Sequence, residues 1–200
     1  MNNIEDYGVE DYILLDSDLA GLSIQAGFVE GVIEENKTYT SLEKAFRHIF
    51  RNNLEYAVML WNGIPIRLDY RQDIPEMVSE LVSMLEFVNA TKEDEIKVFK
   101  FLTPNIETEW QVAIQGDQLE VTAKWFSIVG DYAEVLNQLG MIVIRRDEFM
   151  SEWKLLLEQF IQAITDSGAI LTRDKAINEL ASIKDINHAI PCRGRLYRRM

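Results

Sequence analysis

The sequence predicts a single α+β domain spanning residues 1–200, with a mainly antiparallel sheet of five or more strands and helices packed on one face. Three observations carry this prediction. The chain has 200 residues that are 48% hydrophobic, with 10 Gly and 4 Pro, which is enough apolar material for one core. Helix and strand periodicities follow one another along it, and no linker, repeat or low-complexity tract interrupts them. Residues 1–11 and 188–200 are expected to be irregular or frayed.

The first elements are two apolar runs and a helix. The runs Tyr12–Leu15 and Leu22–Ile33 favour strands. Thr40 and Glu43 have the spacing of a capping box, and the apolar residues after them recur at intervals of three and four. This pattern predicts an amphipathic helix that ends near Asn52.

The clearest turn signal is Asn62-Gly63, which lies between two apolar runs. A type I′ turn requires positive φ at both central positions, and Asn-Gly tolerates this best. Pro65 lacks the N–H needed for a further neighbour, so its strand is expected at an edge or a bulge. The predicted hairpin pairs Trp61 with Ile64, Met59 with Ile66 and Ala57 with Leu68.

A helix and three strands follow. Asp73 is expected to cap a helix that has Pro75 in its first turn and ends around Asn89. The last two strands are joined at Gly116-Asp117, and the register across this turn places apolar pairs on one face and polar pairs on the other. The strands are Glu95–Leu102, Glu107–Gln115 and Gln118–Phe126.

The last third of the chain is mostly helical. Asp131 opens a short helix that Gly140 closes, and the apolar run Met141–Ile144 predicts a buried strand. The longest helix starts at Asp147, and a weaker one covers about Asp174–Lys184.

The charge is concentrated at the two ends. The formal net charge is −13, but residues 1–35 contain nine acids and no Lys or Arg, while residues 188–200 contain four Arg and no acid. The acidic segment, residues 1–35, repels polyanions and attracts basic proteins, which argues against nucleic acid as its ligand. We therefore take eight of the acids as candidate partner-binding residues: Glu5, Asp6, Glu10, Asp11, Asp16, Asp18, Glu34 and Glu35.

The tryptophans give one further candidate. Trp61, Trp110 and Trp153 fall on apolar stripes and are expected in the core. Trp125 pairs with Thr108 in the predicted register, which places it at the rim of the sheet. We take Trp125 as the candidate exposed contact residue.

Most catalytic and metal-binding arrangements have no counterpart in the sequence. The chain has His48, His188 and Cys192 as its only His and Cys residues, too few for an ordinary zinc site, and neither glycine-rich phosphate motif is present. No cofactor or metal is expected. A catalytic pair of carboxylates remains possible, and Asp69 with Asp73 is one such pair. Helix capping explains the presence of these two residues better than catalysis does. The single Cys, the absence of an apolar membrane span and the absence of a signal peptide favour a cytoplasmic protein.

Two stretches of the sequence resemble a known protein family. They are YAVMLWNGIPIRLDY at Tyr56–Tyr70 and VTAKWFSIVGDYAEVLNQLGMIVIRRDEFMSEWKLLLEQ at Val121–Gln159. Both are similar to bacterial immunity proteins, which neutralise polymorphic or contact-dependent toxins. The resemblance implies a cytoplasmic protein that occludes the active site of a basic toxin, often a nuclease, with acidic and aromatic side chains.

Three alternatives remain open at this point. An acidic secretion chaperone or a phage anti-defence protein has the same composition and also works by binding. A carboxylate-dependent hydrolase that uses acids on the polar face of the sheet is the enzymatic alternative. The sequence leaves open whether the protein is a monomer or a homodimer.

Overall fold

The computed structural model describes residues 21–27, 36–50, 56–92 and 94–190. Their nine strands and five helices confirm the α+β class. The strands are β1 (Leu22–Gln25), β2 (Thr38–Tyr39), β3 (Tyr56–Trp61), β4 (Ile64–Asp69), β5 (Glu95–Leu102), β6 (Ile106–Gln115), β7 (Gln118–Ile128), β8 (Ile142–Arg145) and β9 (Ile170–Leu171). The helices are α1 (Leu42–Ile49), α2 (Asp73–Ala90), α3 (Ala133–Gln138), α4 (Arg146–Ser167) and α5 (Asp174–Ala189). The strand predicted at Tyr12–Leu15 lies outside the described residues.

The strands divide into two antiparallel sheets and one short parallel pair, where the sequence pattern predicts one larger sheet. The first sheet has the order β1-β3-β4, the second β5-β6-β7-β8, and β2 pairs with β9. Pro65 lies on β4 opposite Leu60. Pro65 has no N–H to offer a further strand, and β4 has the predicted edge position in the part of the sheet that the structure describes.

The hairpin at Asn62-Gly63 forms in the predicted register. Trp61 pairs with Ile64, and both turn residues have positive φ, 45° at Asn62 and 82° at Gly63. The Asn62 side chain also accepts a hydrogen bond from the Gly21 N–H at 2.9 Å and donates one to the Leu139 carbonyl at 3.2 Å. One residue therefore makes the turn and connects it to the start of β1 and the end of α3.

The second sheet confirms the predicted strands and their pairing. Trp110 pairs with Ala123, and Glu109 pairs with Lys124. Gly116 has a φ of 60°, as the first position of a two-residue type II′ turn requires. The register shifts between Glu107 and Thr108 at a β-bulge, because β7 has one extra residue, Phe126, between their partners Ser127 and Trp125.

Two elements near the carboxyl end differ from the prediction. The run Met141–Ile144 is predicted to be a buried strand, but β8 is an edge strand of its sheet among the described residues, and Val143 is 52% exposed. Helix α5 continues to Ala189, beyond the predicted end at Lys184.

Helix starts also differ in detail. Ser41, rather than Thr40, caps α1, because Ser41 has an extended backbone and its Oγ accepts from the Lys44 N–H at 3.2 Å. Asp73 is the first residue of α2 instead of its cap. Gly168 ends α4 with a φ of 65°, a conformation that glycine adopts readily.

Side chains from helices cover backbone groups at three places on the sheet edges. An exposed edge offers unpaired N–H and C=O groups to other strands, so such contacts limit edge-to-edge association. The contacts are Glu152 of α4 accepting from the Ile24 N–H (2.9 Å), Glu80 of α2 accepting from the Lys100 N–H (3.0 Å), and the Asn137 side chain of α3 bonding both the N–H and the C=O of Trp125 (2.9 Å each).

Three tryptophans join the two sheets. The Trp61 ring centroid lies 4.9 Å from that of Trp110 and 5.5 Å from that of Trp125, the latter pair edge to face. All three are at most 2% exposed and belong to one hydrophobic cluster that extends from Leu22 to Ile190. Edge-to-face contacts place a positive ring edge against a negative ring face, which stabilises such a cluster beyond the area it buries.

Candidate protein-interaction face

The four-stranded sheet has one side against the helices and one side open to solvent among the described residues. Side chains alternate along a strand, and on β5 the buried Phe99 contacts Phe87 of α2. The alternate side chains point the other way, and we call this side the open face. It comprises Ile96, Val98, Lys100, Leu102, Glu107, Glu109, Gln111, Ala113, Gln115, Gln118, Glu120, Thr122, Lys124, Phe126, Ser127, Val143 and Arg145.

The open face exposes an unusual share of large apolar side chains. Twelve such side chains are exposed in the described residues, and five of them lie here: Ile96, Val98, Leu102, Phe126 and Val143. Single exposed apolar residues are normal on a protein surface, but a group of them within one sheet face is typical of a binding surface.

Charged side chains lie between these apolar groups. Lys100 Nζ is 3.0 Å from Glu109 Oε2, and Glu109 is also the cross-strand neighbour of Lys124. Lys124 Nζ lies 4.9 Å from the centroid of the Phe126 ring, a cation–π geometry. Exposed ion pairs contribute little to folding stability, so these groups are free to exchange partners when another surface binds.

Phe126, and not Trp125, is the aromatic residue that this sheet exposes. The prediction that Trp125 is an exposed contact residue is wrong: it is 2% exposed, and Thr108 opposite it is equally buried. Trp125 continues the inward alternation of Leu119 and Val121. Phe126 is the extra residue of the bulge opposite Glu107 and Thr108, and it is 49% exposed.

The sequence contains a signal for this arrangement. Leu119, Val121, Ala123 and Trp125 have a strict two-residue period, which directs Trp125 inward and Phe126 outward. The bulge changes the alternation only after Phe126, because Ser127 then lies opposite Glu107 and Ile128 is buried opposite Ile106.

The acidic candidates are not among the described residues. Glu5, Asp6, Glu10, Asp11, Asp16, Asp18, Glu34 and Glu35 all lie in ranges 1–20 and 28–35. The open face itself has three acids and three bases, and so no net charge. The acidic candidates and the residues of the open face occupy different parts of the sequence.

Asp69 and Asp73 are a carboxylate pair that the structure buries side by side. Asp69 is 3% exposed, and its Oδ1 accepts from the N–H groups of Arg71 and Gln72 at 2.9 and 3.0 Å. Its Oδ2 lies 3.3 Å from Arg67 Nη2. These contacts hold the loop between β4 and α2 in place.

Asp73 has three donors of its own. Its Oδ1 accepts from the Thr103 hydroxyl at 2.6 Å, and its Oδ2 accepts from the Asp69 N–H at 2.8 Å and from the Asn105 amide at 3.1 Å. Asp73 is fully buried and links α2 to the turn between β5 and β6. The pair is thus engaged as a structural joint.

We expect Asp73→Asn to lower the free energy of unfolding by about 2–3 kcal/mol, because an amide N–H₂ then faces one of these donors in the interior. Thr103→Val removes the hydroxyl that donates to Asp73 and accepts from the Ile106 N–H, and it is expected to cost about 1–2 kcal/mol. Urea unfolding followed by circular dichroism measures both. An Asp73→Asn variant as stable as the wild type contradicts the structural role.

A cavity of about 230 Å³ lies beside this joint, between the two sheets. Tyr132 borders it and donates to the Pro65 carbonyl at 3.0 Å, and burial raises the pKa of the Tyr132 phenol above its usual value. The described part of the chain has no group of three or more His, Cys, Asp or Glu side chains arranged to hold a metal ion. Within the same part, no helix is long and apolar enough to cross a membrane.

Comparisons with models of protein families, with curated proteins and with solved structures gave no significant match. The geometry of the open face and the distribution of charge are therefore the observations that bear on function.

Proposed function

We propose that this chain is a non-catalytic, cytoplasmic binding protein that neutralises a cognate protein toxin, as immunity proteins do. The open face is the observation that carries the proposal, because it combines five exposed large apolar side chains with polar groups that can form new pairs. The stretch Val121–Gln159, which resembles immunity proteins, supplies Phe126, Val143 and four charged or polar residues of this face.

The open face has the composition of a protein-binding surface rather than of a small-molecule site. Protein interfaces combine a few apolar or aromatic anchors with a polar rim. Phe126 is the one aromatic residue of the face, and Ile96, Val98 and Leu102 lie together along β5. Burying these side chains against a partner supplies affinity, while the Lys100–Glu109 and Lys124 charges select among partners.

The acidic amino-terminal segment raises the rate at which the partner associates. Nine acids within residues 1–35 generate an attractive field for a basic protein, and such fields raise association rates at low ionic strength. The same field opposes binding of nucleic acid. A basic toxin, such as a nuclease domain, is attracted by the negative charge of this segment and is also a protein that the open face can bind.

The alternatives make different predictions about the partner. A secretion chaperone binds an extended segment of its client, and a phage anti-defence protein binds a host enzyme. A hydrolase needs convergent carboxylates, whereas Glu109 of the open face is paired with Lys100 and the buried Asp69 and Asp73 are hydrogen-bonded within the chain. No contact in the described residues favours the enzymatic alternative.

The proposal is tested by capture of partners from the source cell, using the full-length protein as bait at low and at high salt. We expect one folded, basic protein at low salt and less of it at high salt, and an inhibition assay then shows whether the chain blocks its activity. Recovery of no protein at either salt concentration, or of a partner whose activity is unaffected, contradicts the proposal.

The steering role has its own prediction. Replacing Glu5, Asp6, Glu10 and Asp11 together with Gln or Asn is expected to slow association with the captured partner by about tenfold at low salt. The dissociation rate is expected to change little, because steering acts before contact. Stopped-flow mixing measures both rates.

A matched control replaces four acids elsewhere on the chain, Glu134, Asp166, Asp174 and Asp185, with the corresponding amides. This control has the same net charge as the first variant but keeps the amino-terminal segment. An equal loss of association rate in both variants rejects a special role for that segment.

A further inference from the structure

We propose that two copies of this chain associate by antiparallel pairing of their β5 strands, with the two-fold axis at Ile96. β5 is the first strand of the second sheet, and its outer edge has no neighbouring strand in the described part of the chain. The proposal concerns self-association and is independent of the toxin partner.

Two hydrogen bonds determine which backbone groups of β5 face outward. The Thr103 N–H bonds to the Ile106 carbonyl on β6, so odd-numbered residues face β6. The Lys100 N–H bonds instead to Glu80 of α2, on the outer side. Because N–H and C=O groups of one residue point to the same side in an antiparallel ladder, those of Ile96 and Val98 point outward.

This part of the edge lacks the coverage found elsewhere. Glu152, Asn137 and Glu80 bond backbone groups on β1, β7 and the Lys100 end of β5. No contact of this kind reaches Ile96 or Val98 within the described residues, and both side chains are exposed, Ile96 at 62%. An uncovered edge with apolar side chains is a template for another strand.

Charge selects the occupant and the register. Centring the pairing on Ile96 places Glu95 of one copy opposite Lys97 of the other, on both sides of the axis. Centring it on Glu95 or on Lys97 places like charges opposite each other. Centring it on Val98 requires the N–H of Lys100, which is already bonded. The edge is therefore complementary to a second copy of itself in one register.

The pairing extends the second sheet of each copy into one eight-stranded sheet. Ile96 of each copy exchanges two backbone hydrogen bonds with its counterpart, and the two Ile96 side chains meet on the open face. The two open faces then become continuous.

Sedimentation of the 200-residue chain tests this proposal. We expect a concentration-dependent species of twice the 23.2 kDa chain mass. Glu95→Lys and Lys97→Glu each replace two attractive pairs with two repulsive ones, so each is expected to raise the dimer dissociation constant about tenfold. The double variant, in which the charges are exchanged, is expected to recover wild-type dimerisation.

A mixing experiment makes the test specific to this register. A dimer of one Glu95→Lys chain and one Lys97→Glu chain has both attractive pairs restored. When the two single variants are labelled differently and mixed, they are therefore expected to form heterodimers more readily than homodimers. Lys124→Glu, two strands away from the edge, makes the same charge change as Lys97→Glu and is expected to leave dimerisation unchanged. A monomer throughout the micromolar range, or a dimer that is indifferent to Glu95 and Lys97, overturns the proposal.

Discussion

Trp125→Ala is expected to lower the free energy of unfolding by about 3–5 kcal/mol, because it removes a buried aromatic ring from the contact between the two sheets. The ring packs edge to face on Trp61 at 5.5 Å and lies 6.3 Å from Trp110. Phe126→Ala, the next residue along β7, is expected to cost less than about 1 kcal/mol, since it deletes an exposed ring and one cation–π contact.

These adjacent variants form a matched pair, because they change neighbouring aromatic residues on one strand. Urea unfolding followed by far-ultraviolet circular dichroism avoids reliance on tryptophan fluorescence, which the first variant alters. Similar losses of stability from both variants contradict the assignment of Trp125 to the core and of Phe126 to the surface.

Phe126→Ala is also expected to weaken binding of the protein partner by about 30-fold or more, as loss of an aromatic anchor does at other interfaces. This ring lies beside Lys124, at the end of the open face where Glu107 lies opposite Ser127. Because the variant is expected to fold normally, the loss reports on binding. Titration calorimetry with the captured partner gives the dissociation constant.

Ile177→Ala is the control for this experiment. Ile177 is 46% exposed, close to the 49% of Phe126, but lies on α5 and away from the open face. We expect the Ile177→Ala variant to bind the partner with the same dissociation constant as the wild type. If both variants weaken partner binding equally, or if only Ile177→Ala weakens it, the partner binds outside the open face.

The sequence predicted the local features of the fold well because turn chemistry and periodicity act over short distances. Asn62-Gly63 and Gly116-Asp117 each specify a two-residue turn, and the turn then sets the register of the whole hairpin. Apolar stripes likewise located α2 and α4. These elements depend on residues that are close together in the chain.

Features that depend on distant contacts were not predictable in this way. The strands fall into two sheets, and β2 pairs with β9 across more than 130 residues. Asp73 was expected to cap a helix, and its role as a joint depends on Thr103 and Asn105, about 30 residues away. The open face was anticipated only as a polar face, because the exposure of Ile96, Val98 and Leu102 depends on no helix covering them.

Side-chain footprinting with hydroxyl radicals, on the 200-residue chain alone and bound to its captured partner, shows directly whether the open face forms the interface. We expect oxidation of Phe126, Leu102 and Val143 to fall sharply in the complex, and oxidation of Leu155 and Ile177 on the helical side to stay unchanged. Unchanged oxidation of the open face, with protection confined to Leu155 and Ile177, contradicts the proposal that this face binds the partner.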